Sequence, residues 1–150
     1  MNVLGERLPP QSIEAEQAVL GALMLDPEAA YLVMDFLGVD DFYRQAHRMI
    51  YRIVLDLVLA HQAVDILTVV DKLRQNNKLE EVGGATYLAS LSTIVPNAAN
   101  IATHAKLVVE KAVLRSLISA ASEIVHKCYE GTTEVAQLLD EAEKLIMEVG

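Results

Sequence analysis

A chain of 150 residues with 12 basic and 21 acidic side chains, net charge −9, has the size of one domain or of one domain with an appendage. Its scattered Lys and Arg weigh against a piece that grips phosphates on its own, because sequence-independent nucleic-acid affinity comes from clustered cations. A hydrophobic share of 53% with no Trp and two Phe is helix composition, and the single cysteine, Cys128, offers no disulfide framework and fits a reducing cytoplasm.

The first eleven residues read as an arm containing Pro9 and Pro10, which favour an extended entry. Ser12 is a good cap for a first helix whose Glu14 and Glu16 suit the positive helix start. In that helix Ile13, Val19, Leu20 and Leu23 give one buried face, and Gly21 marks a close helix contact. Asp26 and Pro27 end it and open a second helix that closes near Gly38. After a turn from Asp40 to Tyr43, a third helix over 45–61 is expected to bury Ile50, Ile53, Val54, Leu57 and Val58. Arg44, Arg48 and Arg52 form a row on it that reads as a solvated or interface face. Asp65 caps a fourth helix carrying Leu67, Val70 and Leu73, and Asn76 and Asn77 close it. Gly83 and Gly84 open a fifth over 85–94 with Tyr87, Leu88 and Leu91. Pro96 and the polar stretch 97–100 follow.

From 101 to 130 no Gly or Pro interrupts the chain, which predicts a rod of roughly 45 Å at ~1.5 Å per residue. Leu114, Leu117, Ala121, Ile124 and Cys128 repeat along it at spacings of three and four, with Val113, Ile118 and Val125 widening the stripe. Cys128 is thereby expected to be a small buried seam residue. Gly131 supplies a left-handed closing residue, and Thr132 or Thr133 can cap the next helix. There Val135, Leu138, Ala142, Leu145 and Val149 form a second seam, flanked by Leu139 and Ile146. The fold expected is all-α: a compact multi-helix head over 1–100, then a long antiparallel helical hairpin over 101–150. Two helices packed only on each other leave apolar rows in water, so the hairpin is read as an oligomerisation element.

Chemistry is sparse. No GxxxxGK[ST] phosphate loop exists, and Gly83 and Gly84 are followed by Ala85 and Thr86. Glu123 and His126 have the Glu-x-x-His spacing of a helical metal site, but one copy is not a site, and Glu123 also stands four before Lys127 as an ordinary surface pair. His47, His61, His104 and His126 are too scattered for zinc, and His47, four before Tyr51, suits a hydrogen-bonded structural role. No serine sits in a nucleophile turn. No catalytic, cofactor-binding or metal residue is expected here. The most apolar stretch, 53–60, is short and interrupted by Asp56, and no secretory leader is read, so no membrane association is expected.

In order, the segments PPQSIEAEQAVLG (9–21), DFY (41–43), HRMIY (47–51), GGATYL (83–88), VPNAAN (95–100) and LDEAE (139–143) cover nearly the whole chain. This ordered set closely resembles the N-terminal domain of bacterial hexameric replicative DNA helicases of the DnaB type. The resemblance implies hairpins that pair between subunits into a collar of dimers on a six-membered ring. It also implies docking of primase, and association of the full-length protein with a helicase loader and single-stranded DNA. A RecA-like motor binding ATP and Mg is expected downstream of Gly150, giving the full-length protein ATP-dependent helicase activity in the cytoplasm, whereas this chain alone neither binds ATP nor unwinds DNA. Tyr87 on the head, and Ile118 and Ile124 on the hairpin, are candidates for the primase surface or the collar contacts that shape it; Leu114, Leu117, Leu138 and Leu145 complete the candidate interface. The rival readings are an unrelated helical adaptor, a metalloenzyme built on Glu123 and His126, and a DNA-binding regulator, which the acidic balance disfavours.

Overall fold

The computed structural model describes residues 7–150, so the first six residues of the expected arm lie outside the description. Among the described residues all regular structure is helical: α1 (Ile13–Leu25), α2 (Gln45–Leu59), α3 (Ile66–Gln75), α4 (Gly84–Leu91), α5 (Ile101–Glu130) and α6 (Val135–Met147). Short 3₁₀ segments span Pro27–Leu32 and Val39–Asp41. The chain divides into two compact units, Gln11–Val109 and a second made of residues 7–10 with Glu110–Gly150; the division falls inside α5.

Local signals account for most helix ends in the first unit. The Ser12 hydroxyl accepts the Ala15 N–H at 3.2 Å and starts α1. Asp65 and Thr68 form a reciprocal capping box at α3, with the Thr68 N–H on Asp65 Oδ1 at 2.8 Å and the Asp65 N–H on Thr68 Oγ1 at 3.0 Å. Asn76 closes α3, and Asn77 takes the left-handed conformation, φ +57°. The core of this unit joins Leu20, Leu23, Phe42, Ile50, Tyr51, Val54, Leu73, Leu88 and Leu91 with Ile101, Ala105 and Val108 from the first turns of α5.

Three expectations change here. Helix α1 is buried nearly all round rather than on one face: Ala15, Ala18, Gly21 and Ala22 are as covered as Val19, Leu20 and Leu23. Small side chains let neighbouring backbone come close on the flanks, and a Cβ at Gly21 would collide with the Leu91 carbonyl oxygen. The second helix is 3₁₀ followed by turns, held by bonds such as the Ala29 N–H on the Asp26 carbonyl at 3.0 Å, and a three-residue repeat brings both Ala30 and Val33 inward. In α3, Leu67 is 78% exposed, and Val69 takes the buried place beside Val70 and Leu73.

In the second unit α6 folds back along α5. Gly131, at φ +66°, ends α5 with its N–H on the Lys127 carbonyl, and Lys127 Nζ donates to Glu141 Oε2 at 3.2 Å, which a chain reversal between the helices requires. Thr132 and Thr133 do not cap α6; its N-cap is Glu134, with no capping side chain. The hydrogen bond to Glu141, together with the charges of Glu141 and Glu123, raises the Lys127 pKa above its ordinary value. Arg115 Nη1 donates to the Pro10 carbonyl at 2.8 Å and fixes the end of the arm within this unit.

Candidate functional site

A buried polar chain crosses the first unit and joins four of the sequence segments singled out above. Glu16 of α1 is 1% exposed and His47 of α2 is 0% exposed, and Glu16 Oε1 lies 2.7 Å from His47 Nδ1. Glu16 also accepts two backbone amides from the segment entering α2: Tyr43 N–H on Oε2 at 2.8 Å and Arg44 N–H on Oε1 at 3.4 Å. Arg44, the N-cap of α2, brings no capping side chain, so a carboxylate from another helix sits at the positive end of α2. A buried carboxylate is costly unless charge or hydrogen bonds compensate it, and here three donors converge on it.

On its other side His47 Nε2 lies 2.6 Å from the Tyr87 hydroxyl, which also accepts from Gln17 Nε2 at 3.1 Å. The bonding pattern assigns the tautomer: with Gln17 donating to the phenol oxygen, the phenol proton goes to Nε2, and the ring proton sits on Nδ1 facing Glu16. The His47 and Tyr87 rings are 10° from parallel, with centroids 6.0 Å apart. Tyr87 is half-buried on α4. Gly83, at φ +108°, makes its position possible, because a Cβ there would fall 2.9 Å from the Tyr87 Cβ. Among the described residues no buried side-chain nitrogen or oxygen lacks a partner.

Around this chain the Asp40–Tyr43 turn is braced from α2. Arg48 Nε donates to the Phe42 carbonyl at 2.7 Å and its Nη2 to the Asp40 carbonyl at 3.4 Å. Of the arginine row, Arg44 and Arg52 are exposed, while half-buried Arg48 is spent on this turn. Tyr51 donates its hydroxyl to the Leu37 carbonyl at 2.9 Å, and burial, with the nearby charge of Asp41, pushes its pKa up to about 12.

The second unit presents apolar surface. Among its described residues only Ala120 is buried. Leu114, Leu117 and Ile118 are 40–44% exposed, and Val125, Val135, Leu139 and Ile146 are exposed too. Ile124, Leu138 and Leu145 are half-buried, as are Val113, Ala142 and Val149. On α5 the expected stripe is therefore covered at Ile124 and at its flank Val113, with Ala120 and Lys127 beside them, while Leu114, Leu117, Ala121 and Cys128 are exposed. Cys128, expected as a buried seam residue, is exposed. Glu123 and His126 are engaged by ordinary helix-surface partners, Lys127 at 3.7 Å and Glu130 at 3.0 Å, and no group of three His, Cys, Asp or Glu among the described residues could hold a metal ion.

A family model for the DnaB-like helicase N-terminal domain matches residues 8–110. The chain belongs to that family. The DnaB-like domain is 50% identical over 148 residues to replicative DNA helicase DnaC of Bacillus subtilis and 47% identical over 147 residues to replicative DNA helicase DnaB of Geobacillus stearothermophilus. These alignments take in 99% and 98% of this chain but 33% and 32% of those proteins, so the chain spans about a third of their length. The crystal structure of the N-terminal domain of DnaB helicase from Mycobacterium tuberculosis superposes with a TM-score of 0.89 at 40% identity, covering 95% of this chain and 100% of that one. A DnaB-like replicative helicase, solved to describe its interactions with primase, superposes at 0.75 with 28% identity over 93% of this chain and 32% of its own.

Sequence reasoning named Tyr87 in this DnaB-like domain but not its partners. It gave Glu16 only a helix-start role and did not single out Gln17. A signal existed: His47 falls on the same α2 stripe as Tyr51, Val54 and Val58, where a buried polar ring needs a partner from another helix.

Proposed function

We propose that this chain is the collar domain of a replicative helicase, which pairs subunits through its hairpin and docks primase. The observation that carries the proposal is the surplus of apolar surface on the hairpin. Leu114, Ile118 and Val125 lie on one line of α5 and Val135, Leu139 and Ile146 on one line of α6, and all six are exposed. Exposed stripes of this kind are what interfaces between copies use. The family supports a second copy as the occupant. In the assembled protein the collar belongs to a hexamer whose downstream motor, using ATP and Mg, moves on single-stranded DNA in the cytoplasm. The net charge of −9 fits a part that leaves the DNA to that motor.

Sedimentation of the chain at high micromolar concentration tests the pairing. Dimers or larger species are expected, falling to monomers in Leu117→Asp and Leu139→Asp while circular dichroism is retained. A monomeric wild type across the whole range overturns it.

Each unit has its own docking candidates: Tyr87 on the head, and Ile118 and Ile124 on the hairpin. The primase interactions described for the DnaB-like relative support this half of the reading. Calorimetric titration with primase is expected to show weaker binding by Tyr87→Ala and by Ile118→Ala; unchanged affinity in both removes these residues from the docking surface.

A further inference from the structure

We propose that Glu16 and His47 are positioning residues for partner docking, acting through the Tyr87 ring. The inference rests on the reading of Tyr87 as a docking residue and goes beyond it by assigning a task to a pair that no partner can reach.

The geometry argues this in three steps. First, Glu16 and His47 are 1% and 0% exposed, inside a core otherwise built from apolar side chains. Buried ion or hydrogen-bonded pairs add little stability over apolar side chains of the same size, and their value lies in selecting one arrangement over its neighbours. Second, every bond of the chain is directional and leads to Tyr87: backbone amides at 43 and 44 hold the Glu16 carboxylate, the carboxylate orients His47 Nδ1, and Nε2 takes the phenol proton. Gln17 completes the hydroxyl from the other side at 3.1 Å. Third, the hydroxyl is thereby used up, so the half-buried Tyr87 has its ring, rather than its hydroxyl, to offer an apolar group of a partner. A ring already held in place loses less side-chain freedom when it is covered, which is a direct gain in affinity.

The arrangement has a specific signature. Tyr87→Phe keeps the ring and removes only its tether. His47→Asn keeps an amide near the Nδ1 position, toward Glu16, but loses the bond to Tyr87, whereas His47→Gln places an amide near Nε2 and retains it. Primase titration of the chain is expected to show roughly 3- to 10-fold weaker binding for both Tyr87→Phe and His47→Asn, the range that follows from freeing one side chain. The double variant is expected to bind no more weakly than either single one, since both cut the same link. His47→Gln, which keeps the bond to Tyr87 but not the one to Glu16, is expected to bind more tightly than His47→Asn and more weakly than the wild type whatever its melting temperature, a pattern that a merely structural role for His47 does not produce.

If Tyr87→Ala weakens binding while Tyr87→Phe and His47→Asn bind as the wild type does, the ring docks without the pair and this inference fails with the docking reading intact. If Tyr87→Ala itself binds normally, the docking reading fails and takes this one with it. Additive losses in the double variant also overturn it, by separating His47 from Tyr87. Should His47→Asn not fold, Tyr87→Phe alone decides, with wild-type affinity as the overturning result.

Discussion

Glu16 and His47 sit 31 residues apart in sequence on two helices, yet their side chains meet at 2.7 Å inside the core, and the same carboxylate holds the backbone that enters α2. Removing one partner leaves the other desolvated and unmatched, which is why such pairs are costly to break. Glu16→Ala is therefore expected to destabilise the chain by about 3–5 kcal/mol in urea unfolding, and Glu16→Gln by less, because its amide oxygen still accepts from the backbone. A loss below roughly 1 kcal/mol for Glu16→Ala would show that the pair is dispensable for the fold.

Gly21 is needed for the approach of α1 to the end of α4, where the Leu91 carbonyl occupies the space of a side chain. In a helix interior Ala is otherwise the better residue by up to about 1 kcal/mol. Here the steric term wins, and Gly21→Ala is expected to cost about 1–3 kcal/mol by the same measurement. A stabilised Gly21→Ala chain contradicts the close contact.

Tyr51 sets an alkaline limit. Its phenol ionises near pH 10 in the unfolded chain and near 12 in the folded one. Between those values the unfolded state binds fewer protons, so stability is whole below pH 10 and falls as pH rises to 12, by roughly 2–3 kcal/mol at full extent. Tyr51→Phe gives up the bond to Leu37, costing about 1–3 kcal/mol near neutral pH, but lacks this loss. The stability gap between the two proteins, from urea unfolding at pH 9 and pH 12, is expected to close. A gap constant across that interval rules out the buried phenol as its cause.

The elements that could be read from the order of residues are those whose physics is complete within a turn or two. Ser12 meets Ala15, Asp65 meets Thr68, Gly131 without a Cβ and Asn77 with a short polar side chain adopt left-handed backbone, and the spacing of Ile50, Ile53, Val54, Leu57 and Val58 turns one face of α2 inward. The same holds for the apolar surplus of the hairpin, since an uninterrupted rod followed by a glycine and a second apolar seam implies a reversal.

What depended on the folded chain were contacts between segments far apart. The bonds joining Glu16 to His47, His47 to Tyr87 and Gln17 to Tyr87 span 31, 40 and 70 residues, and nothing local to any one of these side chains names its partner. Burial follows the same rule: α1 is covered all round because small residues admit neighbours on every side, Leu67 gives way to Val69, and Cys128 turns outward while Ala120 and Ile124 on the same helix are covered. Helical periodicity states which residues share a face, since that is a property of one rod. Which face meets another rod is a property of two, and it is settled by shape and charge brought together from distant parts of the chain.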